Sequence, residues 1–169
     1  MSMSFHALCE ALETLLLQHE QMSAYAERKK ESLVANDIDV LNEMVTKEAR
    51  LIKLIAEAEG RRQQAVNAIL REAGFTPTPS TTVASLIRMI TNAEDKLKLS
   101  ELADKLSAAV ERVRALNELN MKLTRQSIEF NDFSLNLLAS AYDDQDYVYK
   151  KPTESAYGQS KLSFFDSKA

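Results

Sequence analysis

Apolar residues recur three and four positions apart from the start of the chain. Phe5, Leu8, Leu12, Leu15, Leu16, Met22 and Ala26 form one helical stripe. The stripe predicts a helix from about Ser4 to Val34, a rod of about 45 Å at 1.5 Å per residue. Ala35-Asn36-Asp37 breaks it. Asn36 tolerates a left-handed C-terminal position and Asp37 can cap the next helix. A second stripe, Leu41, Met44, Val45, Leu51, Ile52, Ile55, Val66, Ile69 and Leu70, predicts a helix from about Ile38 to Ala73, with Gly74 as its stop. Gly60 lies inside it, at a cost of about 1 kcal/mol relative to Ala. So short a turn between two long helices predicts an antiparallel hairpin.

Phe75-Thr76-Pro77-Thr78-Pro79-Ser80 cannot continue a helix and reads as a loop. Thr81 or Thr82 then caps a short helix bearing Val83, Leu86, Ile87 and Ile90. Around Asn92 the pattern falters. A long helix is expected from about Asp95 to Ala141, with a heptad seam of Leu99, Leu102, Leu106, Ala109, Val113, Leu116, Asn120, Leu123, Ser127, Phe130, Ser134, Leu137 and Ala141. The seam grows polar toward its end. Asn120, Leu123 and Ser127, with Asn117 beside them, are therefore candidate contacts for a partner helix. For the two asparagines the competing reading is register, since an Asn at a seam position aligns helices at a cost in stability. The expected fold is all-α: an elongated antiparallel bundle of three long helices and one short one with coiled-coil-like packing. Residues 1–141 form the body and residues 142–169 a flexible tail.

The tail changes the picture. It holds Tyr142, Tyr147, Tyr149, Tyr157, Phe164 and Phe165, six of the eleven Phe and Tyr residues, without helical periodicity. Such a segment can neither build a core nor remain purely solvated, which suits docking. Tyr142 and Tyr147 could simply cap the bundle end. Leu162, Phe164 and Phe165 lie too near the terminus for that and are candidate binding residues.

Composition narrows the classes. The 169 residues suit one domain plus a tail, and the 45% hydrophobic fraction is ample for a core. Three Gly and three Pro leave little for sheet turns or tight catalytic loops. With a net charge of −4 and no basic stripe, nucleic-acid binding has no electrostatic support. Cys9 is the single cysteine, which suits a reducing compartment. No stretch resembles a charged-then-apolar leader or a membrane span of about 20 residues, so a cytoplasmic protein is expected. His6, Cys9, Glu10 and Glu13 share helical spacing, but a lone cluster near a chain end reads as ordinary helix rather than as a metal site. No phosphate loop, nucleophile elbow or zinc-protease motif occurs, so neither an enzyme nor a cofactor is expected.

The segment Leu41-Asn42-Glu43-Met44-Val45-Thr46-Lys47-Glu48-Ala49-Arg50-Leu51-Ile52, followed by Arg61-Arg62, Leu70 and Gly74, resembles a pattern of the FlgN-type flagellar export chaperones. Leu116-Asn117-Glu118-Leu119-Asn120 resembles that family's paired-Asn segment, and Ser163-Phe164-Phe165-Asp166-Ser167-Lys168-Ala169 its variable end. The order and length match over nearly the whole chain. The resemblance implies a cytoplasmic chaperone of flagellar type III secretion. It would bind the C-terminal helical segments of hook-associated, hook–filament junction proteins and deliver them to a membrane export-gate protein. It also implies that a tyrosine past the last helix docks at that gate, Tyr149 before Tyr157 in preference. A non-catalytic coiled-coil adaptor or scaffold is the other reading, and the sequence leaves the oligomeric state open.

Overall fold

The computed structural model describes residues 3–78 and 81–143. They form four helices: α1 (Met3–Ala35), α2 (Ile38–Glu72), α3 (Val83–Met89) and α4 (Ala93–Asp143). There is no strand among the described residues. The all-α expectation holds, with three long helices and one short. The chain divides into two units, Met1–Phe130 and Asn131–Ala169.

Local chemistry sets the helix ends. Asn36 adopts φ 55°, the left-handed region. Its N–H reaches Leu33 O at 3.4 Å, and the Asp37 N–H reaches Ser32 O at 2.8 Å. This is the Schellman pairing, which satisfies carbonyls that the last turn leaves open. One residue on, the Asp37 carboxylate accepts from Val40 N at 3.1 Å and caps α2. Gly74 repeats the device at φ 79°: its N–H meets Arg71 O at 3.0 Å, and Phe75 N meets Leu70 O at 2.8 Å. Thr82 caps α3 through Ser85 N at 3.1 Å. Asn92 accepts from both Glu94 N and Asp95 N and starts α4. The faltering pattern there is thus a helix start, two residues earlier than the stripe alone suggests.

The turn at Asn36-Asp37 folds α1 back along α2. Ser4 at the start of α1 hydrogen-bonds Glu72 at the end of α2. Lys29 near the other end meets Glu48 at 2.6 Å, as an antiparallel hairpin requires. α4 meets α1 in the same chain direction, with Lys98 near Glu13 at 3.9 Å and Asn120 bonded to Ala26. The direction of the three long helices is therefore up, down, up.

One end of this unit holds the main core. Phe5, Leu8, Cys9 and Leu12 of α1 pack with Ala65, Val66 and Leu70 of α2, Leu86 of α3 and Leu99 of α4, and each is buried. The short α3 seals the cluster through Leu86. The α4 seam points inward from Leu99 to Ser127. Beyond it, Phe130, Leu137 and Ala141 are exposed, at the end where the polar drift of the seam leads one to expect poor filling. Val45 and Ile52 also depart from the buried stripe expected of α2. Met44, Leu51 and Ala58 take the inward column, and the wider apolar face of α2 leaves Val45 and Ile52 at its edge.

Candidate functional site

Away from that core, α1, α2 and α4 of the first unit border an open groove of about 620 Å³. Its apolar wall is built from three helices: Met22 of α1, Val45, Ile52 and Ile55 of α2, and Val113 and Met121 of α4. Val45, Ile52 and Met121 are each at least half exposed, at 50%, 58% and 51%. Val45, Ile52 and Met121 thus present three large exposed apolar side chains on one concave surface rather than as scattered surface residues.

Polar groups stand at the groove floor. Lys29 Nζ donates to Glu48 Oε2 at 2.6 Å, with both side chains largely buried. Such a pair is held by its mutual geometry, and breaking it would strand a charge. The second Glu48 oxygen is buried without a hydrogen-bond partner. Asn120 is 3% exposed and donates through Nδ2 to Ala26 O at 2.8 Å, while its Oδ1 also lacks a partner. The His19 ring sits 2.7 Å from Leu15 O and completes the upper edge. Close by, Lys47 bridges the hairpin from α2. It bonds Glu43 at 2.6 Å and lies 5.9 Å from the Tyr25 ring centre on α1. The hydrogen bond from Lys47 holds the Glu43 carboxyl below its ordinary range.

The candidate residues from the sequence divide. Asn117 is exposed and lines the groove. Asn120 is buried, and its bond to Ala26 serves the register of α4 on α1. Leu123 is half-buried, and the half-buried Ser127 donates to Leu123 O at 3.0 Å along its own helix. Tyr149, Tyr157, Leu162, Phe164 and Phe165 lie outside the described residues. The Lys29–Glu48 pair and the exposed Val45, Ile52 and Met121 escaped sequence reasoning. For Val45 and Ile52 the signal was a doubled apolar stripe on the first half of α2, too wide for one partner; the Lys29–Glu48 pair and Met121 left none.

α4 carries further exposed apolar residues. Ile128 and Phe130 lie in the first unit. In the second unit Phe133, Leu135, Leu137 and Leu138 are all exposed. No helix among the described residues is long and apolar enough to cross a membrane. The cluster weighed for metal does not converge. Cys9 faces the core, where burial pushes its thiol up, while His6 and Glu10 face each other at 3.4 Å on an exposed surface.

Among its described residues the chain is an all-helical bundle with an open groove whose wall is partly apolar, which places it in the class of helical-bundle proteins. The comparisons give the family. The model of the FlgN protein family matches residues 1–155, so the chain belongs to the FlgN family of flagellar export chaperones. The chain is also 30% identical to the uncharacterized protein YvyG of Bacillus subtilis (strain 168), over 99% of this chain and 100% of that protein. No solved structure matches the chain.

Proposed function

We propose that this protein is a cytoplasmic, non-catalytic chaperone of flagellar hook-associated proteins. It sheathes their C-terminal amphipathic helical segments, keeps them from associating before export, and delivers them to the membrane gate of the flagellar type III apparatus. Family membership supports the export role. The observation that carries the client class is the open three-helix groove with Val45, Ile52 and Met121 on its wall. An amphipathic helix laid along such a groove buries apolar faces on both sides. Full burial of each such side chain returns about 1.5–3 kcal/mol. That is enough for a few residues to hold a client helix that would otherwise self-associate.

The second part of the reading concerns residues 144–169. Leu162, Phe164 and Phe165 would order around a bound client. Ordering costs roughly 1–2 kcal/mol per residue, which three apolar side chains offset only with apolar surface added by the client. Tyr149 or Tyr157 would then contact the export gate.

Co-expression of the tagged chain with each hook-associated protein of its source organism tests the reading. Capture of the full-length client, and loss of capture when its C-terminal helical segment is removed, is the expected pair of results. Capture that ignores that segment would favour a general adaptor instead.

A further inference from the structure

The long helices of the first unit are not held alike. Among the described residues, α1 and α2 are the pair whose backbones run close together. Buried side chains line both along their length, from Phe5 to Ser32 on α1 and from Met44 to Leu70 on α2. α4 is held firmly at one end. Leu99 is wholly buried in the four-helix core, but from Ser100 to Phe130 only Leu116 and Asn120 are buried. Asn120 ties α4 to α1 by its single bond to Ala26 O, a modest net contribution. Open channels flank the helix. One of about 550 Å³ runs against α1, lined by Leu16, Ser23, Ala24, Ala108 and Ala109, and the groove of about 620 Å³ lies toward α2. Side chains that face open space lack the dispersion contacts of a packed interior. An element with so few buried apolar contacts opens at a lower free energy than the core does.

We propose that α4, hinged where Leu99 is held in the core, lifts off the α1–α2 hairpin between Leu106 and Phe130 as a unit of its own, so that the groove has one fixed wall and one movable wall. The hairpin and the four-helix core stay folded while it does so. Lifting breaks the Asn120–Ala26 bond, exposes Leu116 and widens the space between α4 and α2. The groove then admits occupants of more than one girth, whatever their identity. A lifted helix also frays, because a helix without tertiary packing is marginal in water.

Hydrogen exchange read by mass spectrometry on the full chain tests this. Residues 62–72 report the core and residues 112–128 the movable arm. Leu86→Ala weakens the core, which stays formed while α4 is lifted. It should therefore speed core exchange about tenfold or more and leave the arm's rate unchanged. Leu116→Ala removes a contact that lifting breaks, so it should speed the arm's exchange about tenfold or more. Alanine is the better helix former, so that rise reports lost packing and not lost propensity. Wild-type protein in sub-denaturing urea gives the same answer without either variant. The arm's rate should hardly change with urea while the core's climbs, because lifting bares less surface than unfolding. An arm that quickens with Leu86→Ala as much as the core does, that ignores Leu116→Ala, or that climbs with urea as steeply as the core would overturn the proposal.

Discussion

Asn120 is the residue on which the alignment of α4 with α1 turns. Its amide crosses between helices to Ala26 O, and the residue is almost wholly buried. Asn120→Ala removes one buried hydrogen bond and leaves a small void, so a loss of about 1–3 kcal/mol is expected in urea unfolding, with native helicity retained. A loss under a few tenths of a kcal/mol would show that register is held elsewhere. Cys9 makes a second prediction. Burial favours the neutral thiol in the folded chain. The folded and unfolded states bind the proton alike below the ordinary thiol range. As pH rises through that range the unfolded chain loses it first, so this contribution to stability falls with rising pH. In practice the native protein at pH 8 should react slowly with a chromogenic disulfide reagent and at once in denaturant. Immediate stoichiometric reaction of the native protein would contradict the burial of Cys9 in the core.

At the scale of the elements, the caps were legible in the sequence and the groove was not. Asn36, Asp37 and Gly74 act through their own backbone neighbours, so residue type and position were enough to read them. Asn92 was hidden because a cap has no periodicity, only a side-chain oxygen placed two and three residues ahead of the N–H groups it accepts from. The glycine within α2 and the one just past its end separate the same physics. Gly74 sits at φ 79°, where a side chain is strained, whereas Gly60 is helical, exposed and has nothing within 4 Å of an added Cβ. Gly60→Ala should therefore stabilise by about 0.5–1 kcal/mol, and Gly74→Ala should destabilise by about 1 kcal/mol or more. Thermal melts of the pair should move in opposite directions; movement in the same direction would contradict the capping account. The short α3 depends on a single anchor. Leu86 is 1% exposed within the four-helix core, so Leu86→Ala should cost about 2–5 kcal/mol. A near-neutral result would mean that α3 is not part of the core.

For the whole molecule, the heptad spacing of α4 foretold which residues face inward as far as Ser127. It could not say where that packing stops, because the extent of neighbouring helices is not written in the seam itself. The same limit explains the groove. Val45 and Ile52 look like core when α2 is read alone, and they are exposed because α1 and α4 cover only one column of that face. A groove assembled from three helices leaves no local motif, whereas the order of weak segments along the chain was enough to indicate the family. The central claim is that the chain serves export of hook-associated proteins, and secretion tests it most directly. In the source bacterium lacking this protein, the culture supernatant should lose hook-associated proteins while hook protein is still exported. The wild-type chain should restore them, and the Ile52→Asp variant should not. Unchanged secretion of hook-associated proteins in the deletion strain would contradict the account.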